Sequence, residues 1–321
     1  MKTPVGGEQG AIVPWASVFR EEMDDFLTGD VSWNTSLAGY TTFKVGGKAD
    51  LLVFPRRIHE LSLLIQGLRK IEVPWTMLGR GSNVVIGDQG VAGAVIILDR
   101  DFAAIEQIGE SDNSALVRVE AGCGLARLVN WTIRKGLGGL EFAAGIPGSI
   151  GGAIVMNAGA WQQEMKDVLA AVSIMDEKGT LRARRVEEMH FSYRSWGEKP
   201  GQIVLEGFFR LPKDDPASIK KRCGELRERR KRSQPRHVAN AGSFFKNPPG
   251  PKTAGQLIDE AGLKGRSIGG AMVSPVHANF IVNTGTATAR DILELMRVVQ
   301  ETVQRKSGIK LEPEVKILGL P

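Results

Sequence analysis

Long hydrophobic runs are missing from this 321-residue chain: its apolar stretches are short and broken by charge or glycine, and none approaches the roughly 20 residues needed to span a bilayer. Membrane insertion is not expected, and a soluble protein is. Cysteine is almost absent. Cys123 and Cys223 stand far apart and outside any C-x-x-C pattern, which argues against a disulfide scaffold and fits a reducing cytoplasm, with both as plain thiols. The four histidines, His59, His190, His237 and His277, show no metal-ligand spacing, so no metal site is expected. The residues after Met1-Lys2 lack the apolar core and cleavage pattern of a signal peptide, and a cytoplasmic location is the expectation. Internal repeats and low-complexity tracts are lacking too.

Glycine is plentiful, at 39 residues, and two of its clusters carry information. The stretch Ala144 to Ala160 reads AGIPGSIGGAIVMNAGA. Gly145, Gly148, Gly151, Gly152 and Gly159 have no Cβ, so consecutive amides there can turn toward one ligand such as a pyrophosphate. Packed strand turns of a β-solenoid are the competing reading of that stretch alone. The second cluster, Leu78-Gly79-Arg80-Gly81-Ser82-Asn83, lies between the strand-like Val73–Met77 and the apolar Val84–Ile86. A Rossmann fingerprint needs a third glycine where Val84 stands, and a helix after it; neither is present. What remains is a strand-loop-strand nest of amides, with Ser82 and Asn83 as side-chain donors.

The remaining pattern is α+β. An amphipathic helix is expected near Trp15 to Phe26 after a polar leader, then strands at Ala49–Phe54 and Pro74–Leu78 joined by a helix from Ile58 to Arg69, which implies a parallel strand pair. Short strands follow at Val95–Leu98, Leu116–Glu120, Ala170–Met175 and Ile203–Leu211, with one helix near Leu125 to Lys135. Beyond Pro212 come a basic helix, a long amphipathic helix from Ala287 to Lys306 and a strand-like Val315–Leu318. The net charge of +6 owes much to Lys220-Lys221-Arg222 and to the run from Arg227 to Arg232. Glu225 and Glu228 interrupt that run and Ile219, Cys223 and Leu226 fall on one face, so a solvated amphipathic helix is favoured over a nucleic-acid site.

Two glycine loops from adjacent lobes suggest one extended dinucleotide, and FAD is the natural candidate. From Asn34 to Gly319 the chain resembles the MurB family of UDP-N-acetylenolpyruvoylglucosamine reductases. The resemblance rests on Asn34-Thr35-Ser36, Thr42-Phe43-Lys44-Val45-Gly46-Gly47, the two glycine clusters, Tyr193-Arg194, Asn240 to Pro248 and Leu311-Glu312-Pro313-Glu314-Val315, in that order. It implies a two-lobed FAD-binding domain of the vanillyl-alcohol-oxidase (PCMH) type plus a C-terminal α+β substrate domain. The expected boundaries are a leader and helix at 1–33, FAD lobes at 34–95 and 96–212, and a substrate domain at 213–321 whose terminal strand returns to the FAD lobes. The implied activity is NADPH-dependent, flavin-mediated reduction of UDP-N-acetylglucosamine enolpyruvate in peptidoglycan precursor synthesis.

The same resemblance implies the site. Gly79, Arg80, Gly81, Ser82, Asn83, Gly145, Ile146, Pro147, Gly148, Ser149, Gly151, Gly152, Asn157 and Gly159 are expected to bind FAD. Ser243 is the expected proton donor, and a serine hydroxyl can act so only if held in line with a strongly basic carbanion. Arg194 is expected to bind the substrate carboxylate with its guanidinium fork. Glu314 either hydrogen-bonds that carboxylate when protonated or, when ionised, orients Arg194 or a water. Tyr193, Lys231 and Asn247 are expected substrate contacts, Lys231 at the diphosphate.

The interval from Arg194 to Ser243 is short, as in the subclass without a tyrosine-bearing lid, and Trp196 stands where a serine is usual. No His or Cys falls in the glycine loops, so FAD is expected to be noncovalent. A UDP-sugar is the expected small-molecule substrate, with no nucleic-acid or membrane partner and a monomeric state. A flavin oxidase of the same lobes and a basic RNA-binding protein are the alternatives; the short C-terminal region argues against the first.

Overall fold

The structure, a computed structural model, describes residues 13–319 other than Asp24, so the expected leader lies largely outside the described residues. It divides into two compact units. Unit 1 contains the N-terminal segment up to Thr35, Ala49–Gly79 and Ala92–Leu226; unit 2 contains Ser36–Lys48, Arg80–Val91 and the chain from Arg227 onward. The short segments 36–48 and 80–91, expected within the first FAD lobe, thus group with the C-terminal part.

In unit 1, helix α1 (Ala16–Met23) turns Phe19 and Met23 inward against α2 (Ile58–Lys70), where the Gly67 position leaves space for the Met23 methyl. Helix α2 follows the expected period, burying Leu61, Leu64, Ile65 and Leu68 and ending in Arg69 and Lys70, which complement the negative end of its dipole. The first sheet runs in the order Asp30–Ser36, Lys48–Phe54, Val91–Ile96, Trp75–Met77. The expected parallel pair of 49–54 with 74–78 is therefore corrected: Val91–Ile96 lies between them, and Trp75–Met77 pairs in parallel with it instead.

The second sheet is antiparallel, in the order Leu181–Arg185, Leu169–Met175, Ile203–Pro212, Ser114–Glu120, Ile105–Glu110. Helix α3 (Leu125–Lys135) ends at Gly136 in the left-handed conformation, with Leu137 N–H donating to the Thr132 carbonyl as in a Schellman cap. A six-residue helix, α4 (Ile150–Val155), follows the first glycine cluster. Helix α5 (Pro216–Ser233) buries Ile219 and Cys223, while Arg222 reaches the Glu141 carboxylate at 2.6 Å. Cys123 is buried as well, and no disulfide joins the two thiols.

Unit 2 is built on a four-stranded sheet in the order Ala239–Asn240, Ile281–Asn283, Ala271–Val273, Ser267–Ile268. Against it pack α6 (Ala254–Glu260) and α7 (Ala289–Ser307). Both open with reciprocal capping boxes, Thr253 with Gln256 and Thr288 with Asp291, and α7 closes at left-handed Gly308. Asp88, from the inserted segment, accepts the N–H groups of Ala289 at 2.8 Å and Arg290 at 2.9 Å at the α7 N-terminus. The last strand, Lys316–Leu318, pairs in parallel with Val84–Ile86. Among the described residues no helix is long and apolar enough to cross a membrane.

One buried carboxylate ties the N-terminal segment down. Glu60, 3 % exposed, accepts N–H groups from Thr28 at 2.5 Å, Gly29 at 2.6 Å and Arg56 at 2.7 Å. Glu60→Gln keeps the size but turns an amide donor toward those donors. The expected cost is about 2 kcal/mol, or roughly 4 °C or more off the thermal midpoint. An unchanged midpoint in thermal melts would show that this clip contributes nothing.

Candidate active site

The first glycine cluster is laid down by its neighbours in unit 1. Gly145 (φ +84°) and Gly148 (φ +142°) turn the chain, and residues 121–125 hold it: Leu125 N–H donates to Gly148 at 3.0 Å, Ile150 N–H to Cys123 at 2.8 Å and Gly151 N–H to Ala121 at 2.8 Å. Ser149 caps α4, its Oγ accepting the Gly152 N–H at 3.4 Å. The cluster therefore does not offer a continuous run of amides, because Ile150–Val155 is helical and the Ile146, Ile150, Gly151 and Gly152 amides already have acceptors. Among the described residues, the N–H groups of Gly145, Gly148 and Ser149 have none. Gly79, also in unit 1, lies beside this cluster: a Cβ there would come within 2.8 Å of Ser149 Oγ, which would have to turn aside.

The rest of the second cluster lies in unit 2. Gly81 has φ +60°, and a Cβ on it would sit 2.0 Å from the Tyr40 carbonyl oxygen. Its own carbonyl accepts the Thr42 N–H at 3.0 Å. Asn83 Nδ2 donates to the Glu314 carbonyl at 3.2 Å and Lys316 N–H to the Asn83 carbonyl at 2.9 Å, so Asn83 ties this loop to Glu314 and to the start of the strand after it.

Ser243 and Glu314 share one piece of hydrogen-bonded backbone. Gly242 (φ +78°) turns the chain, its N–H donating to Asn240 Oδ1 at 2.9 Å, and half-buried Ser243 follows. Glu314 N–H donates to the Phe244 carbonyl at 2.8 Å and Lys246 N–H to the Glu312 carbonyl at 2.9 Å. Thr42 Oγ1 donates to the Asn240 carbonyl at 2.6 Å. On the far side the segment meets Asn279, a residue that sequence reasoning missed because a lone asparagine in a polar-looking loop carries no spacing signal.

Arg194 lies in unit 1, at the tip of a tight turn closed by mutual bonds between Ser192 and Ser195. It has φ +59°, its guanidinium stacks 4.7 Å from the Tyr193 ring centroid, and Nη2 donates to the Gly159 carbonyl at 3.3 Å. Asn157 stands behind this turn, fully buried. Its Nδ2 donates to Glu164 Oε2 at 2.9 Å and to the Ser192 carbonyl at 3.1 Å, and its Oδ1 accepts the Lys166 N–H at 3.1 Å. The side chain expected at the cofactor is thus engaged in fastening the turn that bears Arg194. Trp196 is buried in the core, its N–H donating to Val155, so an apolar anchor fills the position where a serine is usual.

The remaining expected substrate contacts are placed less tightly. Lys231 is exposed on the last turn of α5, and its ammonium, 2.5 Å from Glu228, holds that carboxyl below the usual range. Asn247 accepts the Ala254 N–H at 3.0 Å through Oδ1, at the start of α6. His277 is held below the usual imidazole range chiefly by burial, with Lys264 adding to the effect.

A family model described as an FAD binding domain matches residues 49–183, and one described as the C-terminal domain of UDP-N-acetylenolpyruvoylglucosamine reductase matches residues 234–318. The chain is 42% identical over 300 residues to the UDP-N-acetylenolpyruvoylglucosamine reductase of Halalkalibacterium halodurans, covering 93% of this chain and 98% of that protein. It is 41% identical over 302 residues to the protein of the same name from Bacillus subtilis, covering 93% and 97%. The crystal structure of the Thermus caldophilus UDP-N-acetylenolpyruvylglucosamine reductase superposes with a TM-score of 0.78 at 40% identity, covering 91% of this chain and all of that one.

Two substitutions test the roles of these positions. Gly81→Ala forces a Cβ into the Tyr40 carbonyl and is expected to yield protein with much less bound flavin, read from the ratio of visible to ultraviolet absorbance. Asn157→Ala should keep its flavin and lose turnover. Flavin loss in Asn157→Ala with normal turnover per bound flavin would return this residue to the cofactor.

Proposed function

The chain belongs to the UDP-N-acetylenolpyruvoylglucosamine reductase family, and on that premise we propose which of its residues carry the reaction. It is an FAD-dependent oxidoreductase that reduces UDP-N-acetylglucosamine enolpyruvate to UDP-N-acetylmuramate for peptidoglycan synthesis, in a family that uses NADPH. Bound FAD supplies a hydride for one carbon of the enol ether double bond. The protein must then deliver a proton to the neighbouring carbon and hold the charge that develops between the two events.

The glycine loops fit the cofactor. The unsatisfied amides of Gly145, Gly148 and Ser149, beside a Gly79 where a Cβ would crowd Ser149 Oγ, suit the oxygens of a pyrophosphate. We assign Gly79, Arg80, Gly81, Ser82, Gly145, Ile146, Pro147, Gly148 and Ser149 to noncovalent FAD, with Gly151, Gly152 and Gly159 shaping the loop around them. Asn83 serves it through the loop's anchorage. Functional boundaries at 34–95 and 96–212 for the FAD lobes and 213–321 for substrate binding go with this assignment.

Ser243 donates the proton from its Oγ–H, leaving an alkoxide that solvent re-protonates. Arg194 pairs with the substrate carboxylate and stabilises the enolate charge, and its stacking on Tyr193 favours one orientation of the fork. Glu314 binds or orients the same substrate group, while Tyr193, Lys231 and Asn247 contact the rest of the UDP-sugar. What supports the reading most is the bond from Glu314 N–H to the Phe244 carbonyl, which makes Ser243 and Glu314 neighbours on one rigid backbone. The same reading has the enzyme working as a cytoplasmic monomer without a nucleic-acid partner.

Acid precipitation should leave all the yellow colour in the supernatant; colour in the pellet would mean a covalent flavin. Ser243→Ala should keep NADPH-driven bleaching and slow reoxidation by the enolpyruvyl substrate about 100-fold or more, as loss of a general acid does. Anaerobic stopped-flow reads each phase. Equal slowing of both would assign Ser243 to the flavin site. Arg194→Lys should lose turnover by about two orders of magnitude, since a point charge cannot replace the fork; near-normal turnover would make Arg194 structural.

A further inference from the structure

Ser243 lies outside every strand, so its hydroxyl is only as well placed as the backbone of Phe244 and Phe245 behind it. Those bonds converge on one residue. The Asn279 carbonyl accepts the Phe244 N–H at 2.7 Å, its Oδ1 accepts the Phe245 N–H at 2.9 Å, and its Nδ2 donates to the Phe245 carbonyl at 2.8 Å. The side chain is 4 % exposed. Its own N–H donates to His277 Nδ1 at 3.2 Å, an acceptor that burial of the imidazole keeps available. A carboxamide can both accept from and donate to one backbone residue, so Asn279 acts on Phe245 as a neighbouring strand would. With the 312–314 segment on the other side, the backbone after Ser243 is held from two directions.

We propose that Asn279 is a positioning residue for proton delivery, fixing the Ser243 hydroxyl through the Phe244–Phe245 backbone. The proposal rests on Ser243 being the proton donor. An aspartate keeps the acceptor but sets a second carboxylate oxygen against the Phe245 carbonyl, and the segment shifts. Proton transfer from a hydroxyl tolerates little displacement, whereas flavin reduction by NADPH does not use Ser243.

The test compares Asn279→Asp, and Asn279→Ser as a second variant, alone and combined with Ser243→Ala. Each is scored for bound FAD, the rate of NADPH-driven reduction, the rate of reoxidation by the enolpyruvyl substrate, and amide hydrogen exchange over residues 243–246. The expected result is normal FAD content, reduction rate and KM for NADPH, with reoxidation slower by about tenfold to a hundredfold. Exchange should be faster in both Asn279 variants, and adding either to Ser243→Ala should slow reoxidation no further. Multiplicative slowing in the double variant, equal slowing of both phases, or unchanged exchange overturns the role of Asn279. Normal reoxidation in Ser243→Ala overturns the proton-donor reading, and this proposal with it.

Discussion

A buried backbone must find hydrogen-bond partners, and in residues 240–246 it finds most of them outside its own segment. Only Ala239–Asn240 belongs to a strand there; Thr42 bonds the Asn240 carbonyl, and the chain beyond takes its bonds from Asn279 and the Glu312–Glu314 stretch. These partners come from three parts of the sequence, so unit 2 must assemble before the segment has a defined path. Buried Phe244 and Phe245 supply the apolar contact, with ring centroids 5.2 Å apart, but apolar contact alone sets no register. The hydrogen bonds do, and they fix where Ser243 and Glu314 emerge.

That requirement explains why the inserted segments 36–48 and 80–91 belong with the C-terminal chain. Asn283 Nδ2 donates to the Phe43 carbonyl at 2.9 Å, Asp88 closes the N-terminus of α7, and Asn83 holds the Glu314 carbonyl just before the final strand. Each link uses a side chain to satisfy backbone of another segment. Removing one leaves a polar group without its partner, at a cost of about 1–3 kcal/mol.

The elements with local causes were legible in the sequence. Helix α3 spans Leu125–Lys135 as its pattern implies, because Gly124 and Gly136 bracket it, and α2 and α7 follow from apolar spacing. The ordered motifs identified the family. The interposed strand Val91–Ile96 was not legible, since no local signal says which strand of a sheet lies between two others. Nor was α4: Ile150–Val155 contains two glycines, which disfavour a helix, and it forms because Ser149 caps it and residues 121–123 take its first amides. Asn157 read as part of a glycine loop, but its carboxamide faces inward, and direction is a property of packing.

Four strained residues of unit 1 lie in linked segments. Asn157, Trp161, Gln162 and Arg194 all have positive φ without being glycine, and they are linked, Asn157 to the Ser192 carbonyl and Arg194 to the Gly159 carbonyl. Trp161 and Gln162 form the two-residue tip of the hairpin between Gly159–Ala160 and Gln163–Glu164, a place where Asn-Gly would be less strained. Such conformations cost on the order of 1–3 kcal/mol each and persist only where their surroundings overdetermine them. Three bonds from a fully buried asparagine are that surrounding here. An unstrained Arg194 would leave its turn with a different exit direction, and the guanidinium would lose both the Tyr193 stack and the Gly159 carbonyl that orient its fork. The strained turn thus goes with a guanidinium held in one direction by the Tyr193 ring and the Gly159 carbonyl.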